Sequence, residues 1–271
     1  MPSSYISSVN NKQSFETDIS LKKQLRSNRF RTELTRKIHT YYKETPTAKK
    51  CLNYLKKKYP YIMPQIDHIA FRSLSLKDAM DFDEILDNDY LLIDSLDFPL
   101  KTTDKFYKKA YWYKHPIYSR LFSSYIKIDC QYNLEIKKII ENESLSDLEK
   151  YNQLKEIDQY LAWTVIWGKS INHIAFDLSL YPDSFEIIIN EMVKDLNLKM
   201  NIYPSSDSKS NPYIICSQDG LLEQSSTISD SINNIPKAYI EFVNRKIDPN
   251  TNQRRDGFDN INANHLFEST K

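Results

Sequence analysis

The chain has 271 residues, 40% of them hydrophobic and 13% aromatic, enough apolar surface for a sizeable core. Its 37 basic and 36 acidic residues leave a formal charge of +1, so no global field points to nucleic acid or an anionic membrane, and a small partner is expected. Three glycines are too few for a Gly-rich phosphate loop, and Cys51, Cys130 and Cys216 are too scattered for a disulfide framework or a structural zinc site.

Residues 1–25 are rich in Ser, Asn, Lys and Gln and read as a polar, flexible tail. They lack the apolar core of a secretory signal, and no run of about 18 apolar residues follows anywhere, so the expected location is the cytoplasm. Residues 26–60 read as two helices: Phe30, Leu34, Ile38 and Tyr41 recur at helical spacing, as do Cys51, Tyr54 and Leu55 after a break near Glu44-Thr45-Pro46. Lys22, Lys23, Arg26, Arg29, Arg31, Arg36 and Lys37 cluster here, and a solvated helix face explains them better than a nucleic-acid surface.

An internal repeat organises the rest. Ile66-Asp67-His68-Ile69-Ala70-Phe71 returns as Ile171-Asn172-His173-Ile174-Ala175-Phe176, with the histidines 173 − 68 = 105 positions apart. Each copy reads as a strand followed by a helix (Ser75 to Asp87; Pro182 to Asn197) and further strands. The first module, 61–135, continues with strands at Tyr90 to Leu96, Lys109 to Tyr113 and Leu121 to Ile128. The second, 169–271, continues with Leu198 to Tyr203, Tyr213 to Cys216, Leu221 to Ile228 and Lys237 to Asn244. Between them Leu148, Tyr151, Leu154, Ile157, Leu161 and Val165 form one stripe, predicting a single linking helix over 146–168. The expected fold class is α+β: two βαβββ modules of mainly antiparallel sheet, with N-terminal helices and a linking helix. Such a plan looks like the vicinal-oxygen-chelate architecture, in which paired modules form a half-open barrel around a metal.

Strand alternation puts His68, Ala70 and Arg72 on one face and Ile69 and Phe71 on the other. His173, Ala175 and Asp177 align likewise, and the last strand carries Tyr239, Glu241 and Val243 on one face. Glu241 lies among apolar neighbours, where a carboxylate is costly unless paired or bound to a cation. Two histidines and a carboxylate form the ligand set of non-haem iron(II) oxygenases, which leaves coordination positions open. Taken singly, each of these residues is more often a core histidine or an edge-strand charge; the repeat is what favours a shared site. His39, His115 and His265 are not expected to be ligands.

Several separated blocks resemble the 2-oxoadipate dioxygenase/decarboxylase family: Asp67-His68-Ile69-Ala70-Phe71-Arg72, Ile171-Asn172-His173, Asp219-Gly220-Leu221-Leu222-Glu223-Gln224-Ser225-Ser226-Thr227, Tyr239-Ile240-Glu241-Phe242 and Leu266-Phe267-Glu268-Ser269-Thr270. The resemblance implies iron(II) held by His68, His173 and Glu241, with Arg72 holding a substrate carboxylate. Gln224, Ser225, Ser226 and Tyr239 are further candidates for substrate contact. The implied reaction is oxidative decarboxylation of a 2-oxo dicarboxylic acid such as 2-oxoadipate by dioxygen, giving a 2-hydroxy acid such as 2-hydroxyglutarate and carbon dioxide. Family members of lysine breakdown are longer, which implies fewer elements around the distal pocket here. Two alternatives share the architecture: a divalent-metal isomerase, lyase or hydrolase, and a non-catalytic binding protein.

Overall fold

Eight strands hydrogen-bond in the order β2-β3-β4-β1-β5-β8-β7-β6, and this order is the repeat made visible. The computed structural model describes residues 32–73, 91–98, 106–114, 120–128, 130–168, 170–200, 215–216, 223–245 and 247–254. Module one supplies β1 (Gln65–Ser73), β2 (Leu91–Phe98), β3 (Phe106–Lys114) and β4 (Arg120–Ile128). Module two supplies β5 (Ile171–Asp177), β6 (Ile215–Cys216), β7 (Glu223–Ile232) and β8 (Ile235–Arg245). In each module the first strand pairs in parallel with the last, β1 with β4 and β5 with β8, while the other pairings are antiparallel. The modules join through β1 and β5, which run antiparallel, so the sheet has a pseudo-twofold axis at its centre. Among the described residues its outer strands, β2 and β6, are not paired with each other, so the described sheet is open. The mixed α+β class and the paired modules agree with the expectation. A two-stranded ladder of β9 (Ile247–Asp248) and β10 (Gln253–Arg254) follows.

One face of module two is covered by helices. Helix α1 (residues 32–44) and α2 (Pro46–Lys58) break at Thr45, as the sequence predicts, because Pro46 cannot continue α1 but suits a first helical turn. Tyr41, Cys51 and Leu55 from these helices, and Ile188, Ile189 and Met192 from the repeat helix, pack on Ile69, Phe71, Ile174, Phe176, Ile240 and Phe242. Those strand residues alternate along each strand with the residues of the histidine face, so alternation sorts core from site. Each such side chain contributes roughly 1.5–3 kcal/mol of burial free energy.

The linker differs from its expectation. It contains α3 (Cys130–Glu141), α4 (Asp147–Lys155) and α5 (Gln159–Trp167), not one helix over 146–168. The apolar stripe is continuous in sequence, but Asp158 stops the chain and restarts it: its carboxylate accepts from the Leu161 N–H at 2.8 Å, capping α5. Ser146 and Glu149 form a capping box on α4. Leu154 and Leu161 meet Ile136 of α3 in a small satellite core, while Leu148 stays half exposed. Gly168, at φ 43°, then turns the chain into β5 in a conformation that suits glycine.

In module two the repeat helix is α6 (Phe185–Leu196), and no strand starts at Leu198. Asn197 adopts a left-handed φ of 50° and the Leu198 N–H bonds back to the Val193 carbonyl at 3.0 Å, so Leu198 and Met200 fold under α6 into the core. The β7–β8 hairpin turns on Asn233 and Asn234, both at positive φ (52° and 63°), the two-residue turn whose twist matches paired strands. The tail expected over 1–25, the helix over Ser75 to Asp87 and residues 201–203 of the strand expected from Leu198 lie outside the described residues.

Helix α2 lacks a side-chain cap of its own, and β7 provides one. Asp230 accepts from the Thr47 N–H at 3.1 Å and from the Thr47 hydroxyl at 2.7 Å. Replacing Asp230 with Ala removes these bonds in a half-buried place, so the unfolding free energy in urea should fall by about 1 kcal/mol with metal uptake retained.

Candidate metal centre

Two rows of paired residues cross the middle of the sheet, and in β1, β5 and β8 they turn to the face opposite the one that α1, α2 and α6 cover. In one, Arg120 of β4 pairs with His68, His68 with Ala175, and Ala175 with Glu241 of β8. In the other, Phe122 pairs with Ala70, Ala70 with His173, and His173 with Tyr239. The pseudo-twofold exchanges the rows, so His68 matches His173, Tyr239 matches Arg120, and Glu241 matches Phe122. Alanine beside each histidine leaves volume in the middle of the face.

His68, His173 and Glu241 converge there. The two Nε2 atoms lie 2.9 Å apart, Glu241 Oε2 lies 3.3 Å from His173 Nε2 and 3.6 Å from His68 Nε2, and all three residues are buried. Among the described residues this is the one group of three or more potential ligands within bonding range of a common ion. Donors bound at about 2.1 Å and roughly at right angles lie about 3 Å apart, so the spacing matches three neighbouring corners of a coordination shell. Two imidazoles and a carboxylate suit several divalent metals and leave the remaining corners open.

A second ring of residues orients the ligands. The register slips by one residue at Asp67 on β1 and at Asn172 on β5, a bulge immediately before each histidine. Each bulge brings the preceding side chain round to its own neighbour: Asp67 Oδ2 lies 2.8 Å from His68 Nδ1, and Asn172 Oδ1 lies 3.1 Å from His173 Nδ1. With Nδ1–H donating, each Nε2 carries a lone pair toward the centre. Arg245, four residues beyond Glu241, donates to Asp67 through Nε at 2.7 Å and Nη2 at 3.0 Å. Burial raises the Asp67 carboxyl, but the Arg245 guanidinium and the His68 contact outweigh it and hold it well below the usual carboxylate range. The Tyr239 ring stacks on His173, with centroids 4.3 Å apart and planes at 22°.

Arg72 is buried, four residues after His68 on β1, with its guanidinium 5.2 Å over the Trp163 ring. Trp163 is itself fixed by its indole N–H, which donates to the Lys237 carbonyl at 2.9 Å. Burial, His68 and the Arg72 charge together push His173 well below the usual histidine range, so it stands neutral and ready to donate its lone pair.

The structure therefore brings together His68, His173, Glu241, Tyr239 and Arg72 from the predicted set. Gln224, Ser225 and Ser226 form part of β7, one strand beyond β8, and their side chains lie outside the described residues. Four contributors escaped the sequence reading: Asp67, Asn172, Trp163 and Arg245. The signal for the first two was present, since each precedes a repeated histidine; Arg245 meets Asp67 across 178 residues, which no local pattern reveals.

No protein-family model matches the chain. The 2-oxoadipate dioxygenase/decarboxylase, chloroplastic/amyloplastic, of Oryza sativa subsp. japonica is 27% identical over 300 residues, covering 89% of this chain and 78% of that protein. The chloroplastic 2-oxoadipate dioxygenase/decarboxylase of Arabidopsis thaliana is 26% identical over 300 residues, covering 89% and 77%. Over 89% of its length the chain is similar to the 2-oxoadipate dioxygenase/decarboxylases of these two plants. Its fold is shared with the crystal structure of hydroxyglutarate synthase from Oryza sativa in complex with 2-oxoadipate (TM-score 0.72, 23% identity, 90% of this chain and 93% of that one). It is shared also with a putative glyoxalase superfamily protein from Ralstonia eutropha (TM-score 0.60, 15% identity, 82% and 83%). The fold is thus of the vicinal-oxygen-chelate type. Among the described residues no helix is long and apolar enough to cross a membrane.

The electrostatics set a pH dependence for the metal-free protein. His173 is neutral when folded but takes a proton below about pH 6.5 when unfolded, so the unfolded state binds more protons and stability falls with pH below that value. Asp67 adds a second loss only below about pH 4. Urea titrations of the metal-free protein should show stability declining from about pH 7 toward pH 5; a flat profile over that window would contradict a neutral, buried His173.

Proposed function

We propose that this protein is an iron(II)-dependent dioxygenase/decarboxylase that converts a 2-oxo dicarboxylic acid such as 2-oxoadipate, with dioxygen, to a 2-hydroxy acid such as 2-hydroxyglutarate and carbon dioxide. The observation that carries the reading is the buried meeting of His68, His173 and Glu241, with the Arg72 cation on the same strand face, in a relative of enzymes named for that reaction. All atoms of the oxidant enter the two products, so no second oxo acid is consumed.

His68, His173 and Glu241 would hold the ion on one side. Iron(II) bound there would supply adjacent open positions for a chelating 2-oxo carboxylate and for dioxygen, together with the electrons that oxygen activation needs. Ala70 and Ala175 keep that space clear, and the surrounding burial excludes water and strengthens each charge interaction. Arg72 offers a planar, always-charged fork for a substrate carboxylate, held in place by Trp163. A divalent ion, the Glu241 carboxylate and the Arg72 cation leave a local charge of roughly plus two, and a dianionic 2-oxo dicarboxylate cancels it in a low-dielectric site. Asp67 and Arg245 cancel one another and leave that balance untouched.

Protein purified without oxygen, loaded with iron(II) and given 2-oxoadipate should consume one dioxygen and release one carbon dioxide per substrate. Metal uptake with background oxygen consumption across a series of 2-oxo acids would remove the substrate class, and turnover in the absence of oxygen would favour isomerase, lyase or hydrolase chemistry. Arg72→Ala should lower kcat/KM for the dicarboxylic substrate on the order of 10²-fold, the worth of a charge-assisted hydrogen bond, while iron content stays near that of the parent.

A further inference from the structure

The repeat makes the two histidine ligands look equivalent, but what holds them is not. His68 Nδ1 faces a carboxylate, Asp67, at 2.8 Å, and His173 Nδ1 faces an amide, Asn172, at 3.1 Å. Both acceptors stand at the same bulge of the same repeat, so the difference lies in one residue, Asp against Asn. The carboxylate is moreover clamped by Arg245, which reaches it with Nε and Nη2 from the end of β8. Both partners are almost fully buried, Asp67 at 3% and Arg245 at 2% exposure. Strand β5 lies between β1 and β8, so this ion pair spans the strand of His173 and ties the strand of His68 to the strand of Glu241.

We propose that Asp67 and Arg245 are positioning residues that make His68 the stronger, geometrically fixed ligand, while Asn172 leaves His173 the weaker and more adjustable one. The inference rests on the metal reading of the site and on neither iron nor any substrate. An anionic acceptor on the Nδ1 side raises the electron density at Nε2 and fixes the ring plane, whereas a neutral amide fixes the tautomer with less polarisation. Arg245 is what makes a buried anion tolerable next to the centre: it satisfies both carboxylate oxygens and neutralises the charge, so the metal's own charge stays available to ligands. Arg245 also holds β8 against β1, which sets where Glu241 Oε2 stands relative to His68 Nε2.

The test uses cobalt(II) bound to the full chain without substrate, read by titration and by the visible d–d spectrum, which follows ligand strength and geometry. Asp67→Asn combined with Arg245→Gln gives module one the acceptor of module two without stranding a buried guanidinium. It should weaken cobalt(II) binding 10- to 100-fold and shift the d–d bands, while Arg245→Lys, which keeps the charge, should recover most of the affinity. Asn172→Asp is the reciprocal change and should shift the bands in the opposite sense. If the double variant does not fold, Asn172→Asp decides alone. Parent protein that binds no cobalt(II) would sink the metal reading itself. A folded double variant, or an Asn172→Asp protein, with the parent's affinity and spectrum would overturn the inequality while leaving the metal reading intact.

Discussion

The antiparallel pairing of β1 with β5 is the constraint on which the site depends. Each strand alone carries one histidine on a face that its own module cannot complete. Placed side by side with His68 opposite Ala175 and Ala70 opposite His173, they offset the two imidazoles by one pair of residues, and the Nε2 atoms meet at 2.9 Å. A slip of one residue would send every side chain to the other face, exchanging His68 and His173 for Ile69 and Ile174. The helical core on the far side, built on those isoleucines and on Phe71 and Phe176, therefore sets the register that the ligands need. Hydrophobic burial is here the force that positions a polar site.

Glu241 arrives by a longer chain of causes. The Asn233-Asn234 turn fixes how β8 returns along β7, parallel pairing with β5 sets Glu241 opposite Ala175, and Ile240 and Phe242 anchor the strand in the core. The Arg245–Asp67 pair then acts across β5. As a source of stability a buried ion pair is a weak device, since desolvation offsets most of the attraction. As a device for alignment it is strong, because breaking it strands a charge and the geometry that satisfies it is narrow.

Much of this was legible in the sequence, and the reasons for the rest are physical. The repeat announced itself because His-Ile-Ala-Phe appears twice, and period-two alternation correctly separated His68, Ala70 and Arg72 from Ile69 and Phe71. The same alternation hid Asp67, since it assigns neighbours to opposite faces; the bulge suspends that rule at the one place where it matters. The linker reads as one helix in the sequence because an apolar stripe reports which face is buried and says nothing of whether the helix is continuous, and Asp158 interrupts it with a single hydrogen bond. Leu198 and Met200 read as strand residues in the sequence because alternate apolar positions serve equally to cover a helix end.

The centre is less symmetric than the fold that builds it. The twofold relation would place a fourth ligand on β4 at the position matching Glu241, and the residue there is Phe122. A site with four protein donors would leave a metal with little room for a chelating substrate and a gas molecule together, whereas the three donors found among the described residues, all on β1, β5 and β8, leave more. The duplication supplied the paired histidines, and the departures from it, Phe122 where Glu241 has its match and Asn172 where Asp67 has its match, give that pair a direction. Ligand strength is concentrated at His68 and Glu241, on strands locked together by Arg245, while His173 sits between them with a neutral partner and a stacked Tyr239. The proposed oxygen-using reaction needs such a direction, because substrate and dioxygen would take different positions around the same ion in a fixed relation to Arg72, the proposed clamp for the carboxylate.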